Sequence, residues 1–395
     1  MTEARALSGQ ALADALRDSR ARTWRLVDDL SDAQWRVPRQ EGVNPIAWEL
    51  AHIAWFAEFW ILRGPHRVGI DGLVHAARPA RWAGPDDHLD SARLAHDARW
   101  DVEWPSRAQL RSMHDAQLDA CIAAMPAGDD DRTLYFHRLA LFHEDMHGEA
   151  FAWLRATLGY PAPEDTSLPV QGAAVSLRMA GGPMHLGWPK GRRGFAFDNE
   201  LPGRELLLHE FEIDAQPVGA GAFLRFVESG GYADQRWWPG PAGDWLRKAG
   251  RDHPERWRRL APGEWQQRWF DRWLPLRPDE PVIHVNAWEA DAYARWSGRR
   301  LPSAAEWEHA AITAGAAFRW GRSVWEWTGD AFQPYPGFEP GPYKDYSAPW
   351  FGDHRELRGG AFATHARMHD ARYRNFFQPR RSDVFAGFRT ASASR

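Results

Sequence analysis

The sequence predicts two domains in series: a four-helix bundle over residues 1–160 and a loop-rich α+β domain over residues 161–395. Three observations predict this. A chain of 395 residues is long for a single core. Apolar residues recur at helical spacing as far as about residue 160. Beyond that point Gly, Pro, Trp and short strand-like runs take over.

The first helix is predicted by Leu12, Leu16 and Arg20, and the pattern resumes at Trp24, Val27 and Leu30. Ser31 and Asp32 offer a new helix cap before Trp35. A second helix is expected from Asn44 as N-cap and Pro45 at the first position. It runs through Trp48, His52, Trp55 and Phe59 to Arg63. The third covers about 106–124 and the fourth about 131–159. The long connection 64–105 is of a size that is often functional. Residues 160–165, Tyr-Pro-Ala-Pro-Glu-Asp, read as a linker. In the second domain a strand is expected at 206–213, with helical blocks at 220–229, 287–297 and 303–314.

Hydrophobic residues make up 44% of the chain and charged residues 26%, a normal globular balance. A net charge of −4 argues against general nucleic-acid binding. The 24 tryptophans suit cores, clefts and cation-binding walls. Cys121 is the one cysteine, which excludes an intrachain disulfide and a Cys-rich metal site and fits a reducing compartment. The first twenty residues carry no signal-type apolar core, and no stretch reaches the roughly 18 apolar residues of a membrane helix. The expectation is a cytoplasmic protein acting on small molecules, with no nucleic-acid or membrane partner.

The strongest local chemistry is His143-Glu144-Asp145-Met146-His147. Histidines at i and i+4 share one helical face, so both imidazoles reach one ion. Such a pair needs a further ligand. His52 is the candidate, on the stripe of Trp48, Trp55 and Phe59 that should face the bundle interior, where facing helices build metal sites. Three neutral imidazoles with open positions suit iron, copper or zinc. The same five residues also match H-E-x-x-H, the zinc metallohydrolase signature, with Glu144 as general base. Against that reading, residues 148–157 supply no downstream histidine.

Further pieces follow in order. They are Phe197-Asp-Asn-Glu200, Phe223-Leu-Arg-Phe-Val-Glu-Ser-Gly-Gly-Tyr232, Pro281-Val-Ile-His-Val-Asn286, Arg300-Leu-Pro-Ser303 with Glu306-Trp-Glu308, Val324-Trp-Glu-Trp-Thr328, Leu357-Arg-Gly-Gly360, and Arg374-Asn375 with Phe385-Ala-Gly-Phe-Arg389. With the three histidines, nearly the whole chain resembles the sulfoxide synthases of ergothioneine biosynthesis and their relatives. These join a DinB-like four-helix bundle to a domain of formylglycine-generating-enzyme (C-type-lectin-like) type. Formylglycine-generating enzymes work through cysteines in that second domain, and this chain has none there.

The resemblance implies Fe(II) held by His52, His143 and His147, with O2 as co-substrate. It implies hercynine, the trimethylated betaine of histidine, as substrate, and a new C–S or C–Se bond on its imidazole. Tyr343 in Tyr343-Lys-Asp-Tyr346 matches the catalytic tyrosine, while Tyr346 and Asn375 match substrate-binding residues. The active site is then expected between the domains. Three departures bear on the chalcogen donor. The stretch from Glu308 to Val324 is short, Val218-Gly219-Ala220 replaces the usual Val-Thr-Asn, and Phe376 and Phe377 stand where some members have Trp-Asp. An apolar residue cannot pair with an ammonium as a carboxylate does. Phe376 and Phe377 are therefore read as substrate-binding residues. They favour the selenoneine-forming branch, with a selenosugar donor, over cysteine or γ-glutamylcysteine. The long loop also carries Arg93, Arg99 and Trp100; an arginine there can hold a carboxylate through paired hydrogen bonds, or stand solvated at the surface.

Overall fold

The computed structural model describes residues 3–163 and 166–392. Glu164 and Asp165 of the expected linker, and Met1 and Thr2 of the N-terminal stretch read for a signal, lie outside the described residues. The chain divides into two compact units. One comprises Met1–Tyr160 with Arg193–Phe195, the other Pro161–Arg192 with Ala196–Arg395.

The first unit is the predicted bundle, built from helices Gly9–Arg25, Ile46–Ala57, Arg107–Ala123 and Tyr135–Leu158. Its core includes Leu12, Leu16, Leu118, Leu134 and Leu141. Two helix starts are set by capping boxes, Ser31 with Gln34 and Ser106 with Gln109. The fourth helix ends at Gly159, whose φ of +68° is the left-handed cap that glycine adopts without strain.

Three boundaries differ from expectation. Asn44 does not cap the second helix, because its side chain is engaged elsewhere; Pro45 stands at that position without a side-chain bond. The α-helix also stops at Ala57 and continues as a π-turn over Glu58–Leu62. There the buried Glu58 carboxylate accepts the backbone N–H groups of Arg81, Trp82 and Ala83. The fourth helix begins at Tyr135, after a turn in which Asp130 accepts from Thr133 N–H. The long connection carries a hairpin, His66–Val68 with Val74–Ala76, and short helices at Asp86–Leu89 and His96–Trp100.

The second unit is the expected loop-rich α+β domain. Its main sheet has four strands in the order Asn375–Phe377, Arg355–Gly359, Trp325–Ala331, Ala386–Gly387; the last pairing is parallel and the others antiparallel. The strand expected at 206–213 is two strands, Arg204–Leu208 and Phe211–Asp214, which pair with different partners. Helices Ala220–Glu228, Ala287–Trp296 and Ala304–Thr313 fall where helical spacing placed them, and Pro241–Ala249 is an additional one. Several of the residues that carried the family resemblance, together with Glu356, form a buried polar core here. Glu326 binds Arg389 and accepts from Trp307 Nε1 at 2.8 Å. Glu308 pairs with Arg358 at 3.0 Å, and Glu356 with Arg374 at 2.7 Å. Among the described residues, no helix is long and apolar enough to cross a membrane.

Candidate functional site

His52, His143 and His147 come together in the first unit, with one ligand-type atom from each lying within 4.8 Å of the others. His143 and His147 stand one turn apart on the fourth helix, and His52 faces them from the second. The aromatic stripe explains the fixed rings. His52 stacks on Trp48 with ring centroids 4.8 Å apart and planes 10° apart, and has Trp55 on another side. His143 stacks on Phe56 at 3.6 Å and 4°.

Burial pushes His52 and His143 well below the ordinary imidazole value, towards the neutral form that binds metals. Hydrogen bonds select the tautomers. His52 Nδ1–H donates to Leu89 O at 2.7 Å, and His147 Nδ1–H to Glu49 Oε1 at 2.8 Å. Both rings thus turn Nε2 lone pairs inward. His147 Nε2 lies 3.3 Å from His143 Nε2. Metal–nitrogen bonds of about 2.1 Å place neighbouring ligand nitrogens about 3 Å apart, so His143 and His147 sit at the spacing of one divalent transition-metal ion, with a His52 nitrogen close enough to complete the donor set.

The long loop serves this centre. Asp86 accepts from Trp55 Nε1 at 2.7 Å and binds both terminal nitrogens of Arg63, while Trp48 Nε1 donates to His88 O. These bonds hold the segment that presents Leu89 O to His52. Arg99 lies 3.8 Å over Trp48, and burial lowers its pKa to about 10. Arg93 is paired with Asp87 and Asp90, and Trp100 Nε1 donates to Val37 O.

Glu144 has another role. Its two oxygens receive Arg20 Nε at 2.7 Å and Arg20 Nη2 at 3.2 Å, with both side chains 4% exposed. A carboxylate committed to a buried guanidinium is a poor general base, which counts against the hydrolase reading.

The second unit groups the predicted tyrosines. Tyr343 and Tyr346 lie with ring centroids 6.1 Å apart. Tyr346 stacks on Phe197 at 4.5 Å, meets Phe376 edge-on at 5.8 Å, and its hydroxyl is 3.1 Å from that of Tyr373. Burial raises the Tyr346 phenol well above its ordinary value. Phe376 stacks on Phe332 at 4.1 Å. Asn375 is on the same edge strand, its Oδ1 accepting from Phe376 N–H, and Phe377 lies under the Arg381 guanidinium. Asp198 anchors the tyrosine loop at two points, accepting from Ser347 Oγ at 2.5 Å and Gly341 N–H at 3.3 Å. Burial raises its pKa. Replacing Asp198 with Ala is expected to cost about 1–3 kcal/mol through the orphaned donors. Faster hydrogen exchange across 341–350 checks this.

Residues 15–154 match the DinB superfamily, and residues 163–323 and 321–394 match the sulfatase-modifying factor enzyme 1-like domain. Hercynine oxygenase of Mycobacterium tuberculosis is 32% identical over 97% of this chain and 99% of its own length. The chain belongs to the hercynine oxygenase family. Hercynine oxygenase of Mycolicibacterium smegmatis is 31% identical over 98% of this chain and 99% of its own. Formylglycine-generating enzyme of Streptomyces coelicolor is 28% identical over 48% of this chain. As a hercynine oxygenase family member with a three-histidine centre, the chain is an enzyme of the non-haem metal oxidoreductase class.

Proposed function

We propose that this enzyme uses Fe(II) and O2 to form a carbon–chalcogen bond on the imidazole ring of hercynine. The observation that carries the reading is the inward-facing histidine triad, in a chain similar over nearly its full length to hercynine oxygenases. Three neutral ligands leave the metal's positive charge uncompensated, which favours an anionic chalcogen donor and leaves positions for small ligands. The bound metal supplies O2 activation. His52, His143 and His147 hold it, and the aromatic rings packed on His52 and His143 shield those two imidazoles from water. Tyr343 delivers a proton or hydrogen atom from its phenol. Tyr346, Asn375, Phe376 and Phe377 bind substrate, aromatic faces being the natural partners of a quaternary ammonium.

The leading reading of the donor is a thiol, cysteine or γ-glutamylcysteine, giving a sulfoxide, in keeping with the chain's likeness over nearly its full length to hercynine oxygenases. A selenosugar donor is the second reading. Phe376, stacked on Phe332, offers no charge to an amine-bearing donor, which supports this alternative. The deciding experiment is anaerobic loading with Fe(II), then hercynine, O2 and each donor in separate reactions, with products read by mass spectrometry. A sulfoxide adduct from a thiol supports the leading reading, and a selenium adduct from the selenosugar alone supports the second. No adduct from iron-loaded protein with any donor overturns the hercynine assignment. Tyr343→Phe is expected to lower kcat at least about 100-fold, the usual scale of a lost general acid, with little change in bound iron by elemental analysis.

A further inference from the structure

The three histidines of the metal centre are not supported alike. His52 donates to a backbone carbonyl, Leu89 O, at 2.7 Å. His147 instead donates to a carboxylate, Glu49 Oε1 at 2.8 Å, and Glu49 is 1% exposed. Glu49 lies on the second helix three residues before His52, so one helical face brings both towards the fourth helix. The second Glu49 oxygen accepts from Asn44 Nδ2 at 3.3 Å, and Asn44 Oδ1 accepts from Arg99 Nη1 at 2.6 Å. The Arg99 guanidinium rests on the Trp48 ring that stacks on His52. A polar chain therefore runs from His147 through Glu49 and Asn44 to Arg99, and returns to the centre through the indole.

We propose that Glu49, held in place by Asn44 and Arg99, is a positioning residue that fixes the ring of His147 and strengthens it as a metal donor. The inference rests on the metal-site reading above and is independent of substrate and donor. A carboxylate on the far nitrogen of a ligating imidazole draws the Nδ1 proton towards itself and raises electron density at Nε2. It also locks the tautomer and the ring plane. In a buried site the effect is large because water cannot compete for the carboxylate. The centre is thus electronically uneven, with an anion-backed ligand at His147 and a carbonyl-backed one at His52.

Metal affinity and ligand field test this without turnover. The full chain, freed of metal, is titrated with Co(II), whose visible bands report ligand strength, against a competing chelator. Glu49→Gln preserves volume but removes the charge. It is expected to weaken Co(II) binding about 10–100-fold, the usual cost of losing such a partner, and to shift the visible bands. Asn44→Ala leaves Glu49 in the chain and removes only its support, so a smaller loss and a band shift in the same direction are expected. That variant also keeps the test decisive if Glu49→Gln folds poorly. Wild-type affinity and unshifted bands in Glu49→Gln would overturn the proposal. So would an Asn44→Ala loss without any band shift, the mark of a merely structural role. If His143→Gln binds Co(II) as the wild type does, the metal-site reading fails and this inference falls with it. If only the Glu49 and Asn44 variants match wild type, the site stands and this inference alone fails.

Discussion

Replacing Glu144 with Leu is expected to destabilise the metal-free protein by about 3–5 kcal/mol, the range for removing one partner of a buried ion pair. Arg20 and Glu144 come from opposite ends of the bundle sequence and meet with both side chains almost fully buried. Arg20 also donates to His114 O at 2.6 Å and to Gln117 Oε1 at 3.2 Å, so one guanidinium ties the first, third and fourth helices together. Without Glu144 the charge stays in the interior, and neither remaining acceptor is ionised. The double variant Arg20→Met, Glu144→Leu removes both charges and fills the space with apolar atoms. It is expected to recover most of the loss, since apolar replacements of buried pairs are often neutral or better. Urea unfolding of the wild type, both single variants and the double variant measures this as a coupling energy. A Glu144→Leu midpoint equal to wild type would remove the ion pair from the account of the bundle. Loss of activity at full stability would restore Glu144 to the general-base role that the H-E-x-x-H spacing suggests.

That contrast shows which parts of the centre the sequence could disclose. The His143/His147 pair was legible because i,i+4 spacing alone dictates a shared helical face. His52 was legible because Trp48, Trp55 and Phe59 mark the face it shares. The helix start at Ser31 was legible for the same local reason, a side chain bonding three residues ahead. What escaped depends on partners remote in sequence. Glu49 reads as an ordinary first-turn acid of the second helix until the fourth helix places His147 beside it. Asn44 has the composition of a cap, yet Glu49 and Arg99 claim its side chain. Likewise, the end of a predicted α-helix is a π-turn over Glu58–Leu62, where the Glu58 carboxylate gathers three N–H groups from the loop.

In the second unit the recurrent motifs were easy to see, but their work is to fold the domain. Glu308, Glu326, Arg358, Arg374 and Arg389 are all buried in ion pairs. Burying that many charges is costly unless each is paired, and this explains why the motifs announce a fold so clearly and a substrate so poorly. Under the proposed function, donor choice falls instead to less constrained positions such as Phe376 and Phe377.

Removing any one of the three histidines is expected to empty the centre, but the metal-free proteins should differ. A four-ligand structural zinc site is worth about 10–16 kcal/mol, roughly 3 kcal/mol per ligand, so losing one imidazole lowers affinity by about two orders of magnitude. Elemental analysis after desalting should find little iron in His52→Ala, His143→Ala or His147→Ala, and turnover should be lost with it. Stability separates them by what each ring leaves behind. His143→Ala opens a void against Phe56, where the ring stack is closest. His147→Ala strips the buried Glu49 carboxylate of its 2.8 Å donor and leaves it to Asn44. His52→Ala frees Leu89 O and vacates the space between Trp48 and Trp55. The Glu49 carboxylate left with a single amide donor is the costliest of these, because a buried charge that loses a hydrogen-bond donor bears more of its desolvation penalty. Metal-free His147→Ala should therefore melt lowest of the three, and His147→Ala combined with Glu49→Gln should melt higher than His147→Ala alone. An unchanged melting temperature in that double variant would mean that the Glu49 carboxylate finds another partner once the histidine is gone.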